Sequence, residues 1–353
     1  MYTVLLYAMD EITAIQEQDD VLYEQQIIKI DKGQEPLRID KFLMHRIERA
    51  TRSKIQRAIA AGLVTVNGAI IKSNYKVKGL DEIIIFSDTS PETSQVKPEP
   101  IPLNIVFEDE SIIIINKPAG LVVHPGVGNY TGTMLNGIAY YLLQQNPSLT
   151  EEALSRFGLV HRIDKNTSGL LVLGKTEHAI GHLAKQFFHH TIQRKYIALV
   201  WGDVLENEGT IHVNIARHKK YRKLFDAYPD EEYGKEAITH YKVLERFGYT
   251  TLVECVLETG RTHQIRVHMK YLGHPLFNDD TYGGDKIVKG TIYTKYKQFV
   301  DNCFSMCRRQ ALHATLLGFV HPQTLQPVLF ESPLPKDIEE VIEKWRKYGN
   351  QNK

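Results

Sequence analysis

The run Leu159-Val-His161-Arg162-Ile163-Asp164-Lys165-Asn166-Thr167-Ser168-Gly169-Leu-Leu-Val-Leu173 decides how this chain is read. Apolar residues on either side predict two strands, and the hydroxyl-rich middle predicts a turn between them. Strands make rigid walls, the turn reaches solvent, and a charged side chain there meets a substrate without being stranded in a core. An imidazole, a guanidinium and a carboxylate therefore gather on one short turn, and Asp164 becomes the candidate for chemistry. Taken alone, an Asp before Thr-Ser-Gly is more often a plain connector than a site.

Size and composition agree with a soluble enzyme. With 353 residues, 42% hydrophobic and 24% charged, the chain can bury a substantial core and is long enough for two domains. The net charge of +1 averages over segments of opposite sign. The three cysteines, Cys255, Cys303 and Cys307, form no disulfide framework, which argues for a reducing compartment. No apolar stretch approaches the length of a membrane span, and the first basic residue is Lys29. The expectation is a cytoplasmic protein without a secretory signal or membrane contact.

Working outward, the chain divides into a tail, a basic module, a linker and a larger domain. Residues 1–25 are a short apolar start and an acidic stretch, read as a tail, within which Met9 offers an alternative start. The basic module spans about 26–86. Residues 87–100, with Pro91, Pro98 and Pro100 and little apolar content, read as a linker. The remainder, 101–353, forms the larger domain.

Within the module, Ile39, Phe42, Leu43 and Ile47 recur at helical spacing, as do Ile55, Ala58 and Ile59, with Thr51 and Ser53 as candidate caps and Gly62 as the stop. Leu63–Val66, Asn67-Gly68 and Ala69–Ile71 then read as strand, tight turn and strand. Over residues 37–86, ten Lys and Arg stand against four acids, giving about +6. Arg38, Arg46, Arg49, Arg52 and Arg57 lie off the apolar faces. They are either a solvated helix surface or a phosphate-binding face, since excess positive charge on one small domain marks a nucleic-acid binder.

In the larger domain, Ile101–Phe107, Ile112–Ile115, Lys195–Val200, Glu236–Leu244 and Thr251–Leu257 are strand-like, while Met134–Leu143, Ala179–Phe188 and Ile338–Trp345 are helix-like. Strands follow one another without regular helical crossovers, which predicts an α+β fold around a largely antiparallel sheet. The run Arg217-His218-Lys219-Lys220-Tyr221-Arg222-Lys223 lies between two strands. Such a run is commonly a solvated loop; in an RNA enzyme it is a backbone grip with Tyr221 able to stack on a base. In Thr262-His263-Gln264-Ile265-Arg266-Val267-His268-Met269-Lys270-Tyr271-Leu272, the residues Ile265, Met269 and Leu272 share one helical face and Arg266 points elsewhere. Arg261 precedes the candidate cap Thr262 and is a phosphate candidate.

The motif His161-Arg162-Ile163-Asp164-Lys165-x-Thr167-Ser168-Gly169-Leu-Leu-Val resembles the signature of the RluA-type pseudouridine synthases. Asn116-Lys117-Pro118-Ala119-Gly120 through Gly126, Arg194-Lys195-Tyr196, Thr259–His268, Gln310–Ala314, His321-Pro322 and Pro333-Leu334-Pro335 resemble further blocks of the family in the same order, over residues 101–346. Residues 37–86 resemble the S-four-type RNA-binding domain, in which such a helix pair contacts structured RNA. The resemblance implies the pseudouridine-synthase fold, a mixed, largely antiparallel central sheet with flanking helices, joined to a small ααβ RNA-binding domain.

It also implies isomerisation of uridine in RNA, with no cofactor and no metal. Asp164 is then the catalytic residue, Tyr196 the aromatic face for a flipped pyrimidine, Arg266 the partner that holds Asp164 ionised, and Arg162 a contact beside the flipped nucleotide. The added module favours large-subunit ribosomal RNA over tRNA. The oligomeric state is not legible, with a monomer the default. Two departures concern backbone: Asn278 and Asp280 stand where the family has Gly and Pro. Asn tolerates positive φ best among non-glycine residues, so the first should be accommodated, whereas the second predicts a looser loop.

Three rival readings stand beside this one. Fifteen histidines suggest a metalloenzyme, but His263 and His268 are five apart, which is not the same-face spacing of a helical zinc pair. An aspartic hydrolase would need a second Asp-Thr-Gly, which is missing. The non-catalytic rival is an RNA-binding or ribosome-assembly factor.

Overall fold

The computed structural model of the chain describes residues 23–47, 52–60, 62–87, 96–125, 129–149, 158–218, 221, 224–229 and 233–351. The chain forms two compact units, one within Gln16–Gln95 and one built chiefly from Val96–Pro125 and Thr131–Lys353. No described helix is long and apolar enough to cross a membrane.

The smaller unit contains β1 (Tyr23–Lys29), β2 (Leu37–Arg38), α1 (Ile39–Arg46), α2 (Arg52–Ala60), β3 (Val64–Val66), β4 (Ala69–Ile70), β5 (Lys76–Val77) and β6 (Glu82–Ser87). Its main sheet has the order β1-β6-β3-β4 with antiparallel neighbours. The predicted apolar faces form its core: Ile39, Phe42 and Leu43 of α1 and Ile55 and Ile59 of α2 pack with Val64, Val66, Val77 and Ile83. Asn67 and Gly68 have φ of 51° and 78°, the left-handed pair that a two-residue hairpin requires. Two local readings need correction. Strand β1 begins at Tyr23, inside the stretch read as tail, and Ser53 lies within α2 rather than capping it, because Arg52 opens the helix where its Nε reaches Asp40. Thr51 lies outside the described residues.

The larger unit runs through β7 (Ile105–Glu108), β8 (Ile112–Lys117), α3 (Met134–Gln145), β9 (Gly158–Leu159), β10 (Ser168–Gly174), α4 (Glu177–Phe188), β11 (Gln193–Trp201), β12 (Glu208–His212), β13 (Asn214–Arg217), β14 (Phe225–Tyr228), β15 (Ile238–Arg246), β16 (Thr250–Leu257), α5 (Gln264–Tyr271), α6 (Thr294–Met306), β17 (Leu312–Val320), β18 (Pro327–Glu331) and α7 (Lys336–Gln351). Ten strands form one mixed sheet of order β12-β15-β16-β11-β17-β10-β8-β7, with β18 beside β17 and β9 beside β10. Residues 101–104, read as part of the first strand, precede β7. Thr133 caps α3 in a reciprocal capping box with Asn136, and Asn136 also donates to Lys97 O.

Both faces of the sheet are covered, which is why its strands read as nearly continuous apolar runs. Ile113, Ile115, Leu171, Leu173, Ala198 and Val200 face α3 and α5. Their neighbours Ile112, Ile114, Leu170 and Val172 face α4, and Ile197, Leu199 and Trp201 face α6 and α7. This is the two-residue alternation of a strand with a core on either side.

One pairing in the sheet is parallel. Strand β10 meets β17 at Ser168↔His313 and Gly169↔Ala314. Gly169 has φ of 119°, and a Cβ there would come within 2.2 Å of the Ala314 carbonyl oxygen. Only glycine lets the two backbones approach this closely, and the approach fixes the turn that carries Asp164.

Candidate active site

The turn before β10 is held from several sides. Lys117, fully buried, donates from Nζ to the carbonyls of Pro118, Leu121 and Lys165. Burial pushes its amine down to about 7, against the pull of the Asp164 charge. Arg309 donates to Asn166 O at 3.1 Å while its fork grips Asp337 at 2.7 and 3.0 Å. Thr167 N donates to Asp164 O, and Ser168 Oγ meets His313 Nδ1 at 2.9 Å. The carbonyls of Asp164, Lys165 and Asn166 are all engaged, and Asp164 is presented on a rigid base.

Above this base sits an acid–arginine–acid array. Arg266 of α5 donates from Nη1 to Asp164 Oδ2 at 3.0 Å, and from Nε and Nη2 to the two oxygens of Asp279 at 2.7 and 2.9 Å. Asp279 is fully buried, whereas the Asp164 side chain keeps 19% of its surface exposed. Asp279 Oδ1 also accepts the backbone N–H groups of Thr281 and Tyr282 at 3.1 Å. Burial alone would raise the Asp164 carboxyl; His263, once protonated in the acid range where Asp164 would titrate, and the permanent charge of Arg266 outweigh it and hold the group below the usual aspartate range. Oδ2 is thus occupied by Arg266. Oδ1 faces His263 Nε2 at 3.9 Å, beyond hydrogen-bond reach.

His263 stands at the N-cap of α5 with a left-handed backbone, φ 56°. This corrects the reading of Thr262 as cap: the helix starts at Gln264, whose side chain accepts from Arg261 N and Thr259 Oγ1 and donates to Ile238 O and Thr239 Oγ1. Leu272 is also not on the buried face, since the helix has ended and the side chain is 37% exposed. His263 Nδ1 meets Tyr282 Oη at 2.8 Å, and Tyr282 Oη accepts Phe225 N–H at 3.3 Å. The Arg266 guanidinium lies 5.0 Å from the Tyr282 ring centroid.

Tyr196 is buried on β11 beside a register shift between Lys195 and Tyr196, the kind of irregularity that re-aims a side chain at a sheet site. Burial, and then the charge of Asp164, raise its phenol above the ordinary value despite Arg194. Arg162 is exposed and its charge reaches Asp164. His161, the imidazole of the same motif, turns away: it stacks on Phe187 at 4.5 Å and its Nε2 accepts Val172 N–H.

The predicted RNA contacts separate into two groups. In the larger unit, Arg261 donates from Nε to Glu236 O, Arg217 lies 5.2 Å over the Phe225 ring, and Tyr221 is 57% exposed. Lys219, Lys220 and Arg222 lie outside the described residues. In the smaller unit, Arg38 and Arg52 both grip the buried Asp40, joined by Gln56, and Arg46 lies over Phe42 at 5.1 Å. Arg49 lies outside the described residues, and of Arg57 only the helical backbone is described.

Sequence reasoning missed Asp279, Tyr282, Lys117, Arg309 and the site role of His263. One signal was available: an arginine on a mostly apolar helix needs more than one acceptor once buried, and Asp279 follows 13 residues later in a turn. That turn carries Asn278 at φ 57°, as expected of its side chain. It is closed by Asn278 N to Gly284 O and Gly284 N to Asp279 O, so hydrogen bonds replace the rigidity that a proline at Asp280 would supply. Among the described residues, no group of three or more His, Cys, Asp or Glu is arranged to hold a metal. His268 is instead bonded to Thr239 Oγ1 and Val213 O.

The sequence profile of the RNA pseudouridylate synthase family matches residues 111–271, and that of the S4 domain residues 37–83. An uncharacterized RNA pseudouridine synthase of Chlorobaculum parvum is 43% identical over 320 residues, covering 90% of this chain and 97% of that protein. The ribosomal large subunit pseudouridine synthase D of Nitrosomonas europaea is 42% identical, covering 87% and 84%. The structure of human RNA pseudouridylate synthase domain containing 4 superposes with a TM-score of 0.55 at 22% identity, over 69% of this chain and 93% of that one, a likeness of fold. The chain therefore belongs to the RluA-type RNA pseudouridine synthases, isomerases of RNA uridine, and carries an S4 domain.

Proposed function

We propose that the protein isomerises uridine in large-subunit ribosomal RNA, with Asp164 as the catalytic carboxylate. The observation that carries this is the unequal state of its two oxygens: Oδ2 is held by Arg266, while Oδ1 has no hydrogen-bond partner among the described residues, on a side chain that keeps 19% of its surface exposed. The reaction must break the bond from ribose C1′ to uracil N1, turn the base, and join C1′ to C5. Attack on C1′ and removal of a ribose proton are the two possible openings, and both need an ionised carboxylate with one bare oxygen. Arg266 keeps Asp164 ionised, and Asp279 keeps Arg266 in place.

Such chemistry is impossible inside a base stack, so the uridine is flipped out. Tyr196 supplies the aromatic face; its raised phenol stays protonated at neutral pH, which suits a stacking surface. Arg162 and Arg261 contact the flanking backbone, and the run from Arg217 to Lys223 grips it further away. In the smaller unit, Arg38 and Arg52 present guanidiniums oriented by Asp40 toward phosphates, with Arg46, Arg49 and Arg57 adding charge. The proposed layout is a tail ahead of β1, an RNA-binding domain from Tyr23 to about 86, a linker to about 100 and a catalytic domain in 101–353. The name of the Nitrosomonas relative supports the ribosomal target, and a reducing cytoplasm suits three free buried cysteines.

Asp164→Asn tests the assignment. Nucleoside chromatography of RNA from a strain lacking the protein should show conversion by the wild type and none by the variant, with RNA affinity retained. Equal conversion by both would remove Asp164 from the chemistry.

A further inference from the structure

The Tyr282 hydroxyl has one proton to give. Its oxygen accepts Phe225 N–H, and the geometry lets it give that proton to His263 Nδ1, 2.8 Å away. The ring then carries its own proton on Nε2, the atom that faces Asp164 Oδ1 at 3.9 Å. No protein acceptor lies within hydrogen-bond reach of Nε2 among the described residues, and the His263 side chain is 23% exposed. The groups facing the ring are Asp164 on its turn, Arg162 beside it, Arg266 on α5, Asp279 in the following loop, and Tyr282. Burial pushes the imidazole below its ordinary value; Asp164 and Asp279 oppose this while Arg266 and Arg162 add to it. The ring is neutral near pH 7. A left-handed backbone at a histidine opening a helix is the strained geometry that concentrates at functional sites.

We propose that His263 is a further catalytic residue, presenting a neutral Nε2–H to a uracil carbonyl oxygen while the base is detached from ribose, with Tyr282 as the positioning residue that sets its tautomer. The inference rests on the assignment of Asp164 above. When the C1′–N1 bond breaks, the electron pair stays with uracil and its charge spreads over N1 and the two carbonyl oxygens. A fixed donor at one of them stabilises this anion as an oxyanion hole does. When C5 then bonds to C1′, the electron pair passes from uracil to that bond and the anion is discharged; the C5 proton then goes to water while N1 takes one up, leaving the base neutral. His263 neither gains nor loses a proton over the cycle, and Asp164 ends it as the carboxylate it began as.

The test reads tautomer and turnover separately. Nitrogen NMR of the full-length protein labelled in histidine, with the His263 signal assigned by its loss in His263→Gln, should show Nε2 protonated and Nδ1 bare at pH 7. Tyr282→Phe should shift the ring toward the other tautomer or the imidazolium, and move the acid limb of single-turnover rates to higher pH than in the wild type. His263→Asn accepts the left-handed backbone but its amide falls short of the Nε2 position, so turnover should drop roughly 100-fold with RNA affinity unchanged. His263→Gln restores a donor at that reach and should recover at least about ten-fold of the loss.

An Nδ1-protonated or charged ring in the wild type, or an Asn variant as fast as wild type, overturns the proposal. Asp164→Ala assayed in parallel separates the two ideas. If it keeps turnover, the site assignment itself fails; if it loses turnover and His263→Asn does not, only the role of His263 falls.

Discussion

Asp279→Asn should cost far more stability than Asp164→Asn, although only Asp164 is assigned to the chemistry. Asp279 has no exposed surface and accepts two Arg266 bonds at 2.7 and 2.9 Å plus two backbone N–H groups. An amide keeps one oxygen. If that oxygen stays with the backbone donors and Arg266 Nη2, the new NH2 faces Arg266 Nε donor to donor. One charge-assisted bond is lost, worth about 1.5–3 kcal/mol, and a guanidinium 5% exposed loses its full-time counter-charge. Removing one partner of a buried pair costs about 3–5 kcal/mol. Since Asp164 still shares the charge, about 3 kcal/mol is expected. Asp164→Asn removes one 3.0 Å contact to a partly exposed side chain and leaves the Asp279 fork intact, so about 1 kcal/mol or less is expected.

Urea unfolding followed by tryptophan fluorescence measures both values. The chain has two tryptophans, and Trp201 and Trp345 are both fully buried in the larger unit, so the signal reports the unit that holds the site. Turnover should split differently. Asp164→Asn abolishes it, while in Asp279→Asn the Arg266 fork is free to close on Asp164, covering Oδ1, and a misplacement of this size costs about 100-fold. Equal destabilisation by the two variants would refute the claim that Asp279 anchors Arg266 for Asp164.

Lys117→Met keeps the volume of a fully buried side chain and removes three donors to backbone carbonyls. Lys165 O retains Gly120 N–H, so two stranded acceptors at about 1–3 kcal/mol each predict a loss near 3 kcal/mol in urea unfolding, with slower turnover. Asn278→Gly keeps the φ of 57° but loses bonds to Phe304 O and Cys307 O, about 1–2 kcal/mol in thermal unfolding. Asn278→Ala should cost about 1 kcal/mol more, from left-handed strain; the reverse order would show that strain is not felt there. The Asp164 carboxyl is depressed below its ordinary 3.8, so its pairing with Arg266 stabilises fully above that value and is lost as pH falls through the lower folded value. Carbon NMR should show no titration of the Asp164 carboxyl between pH 5 and 7, and a midpoint in that range, absent from Asp164→Asn, would contradict the depression.

What was legible from the residues was local period and local motif. The run Ile112–Ile115 reads as a strand because both neighbours in the two-residue alternation are apolar, and the structure buries one set under α3 and the other under α4. Ile39, Phe42 and Leu43 read as a helix face because nothing else satisfies their spacing. Periodicity reports that a position is buried; it does not say against what. Asp40 sits among those apolar residues and is itself buried, so Arg38 and Arg52, read from their angular position as free surface charge, are tied to it.

The same blindness hid Asp279. Its neighbours Asn278, Asp280 and Gly283 have the composition of a turn, which is what they form, and nothing local distinguishes a turn acid in solvent from one with no exposed surface. The partner is Arg266, whose own burial follows from its helix, and a buried guanidinium with three bonding edges cannot be satisfied by one partly exposed carboxylate. Counting donors on Arg266 before seeing the fold would have demanded a second acid. The two acids then divide the work by exposure: the one fully buried anchors the arginine, and the one whose side chain stays partly exposed, with one oxygen unbonded, is left able to react.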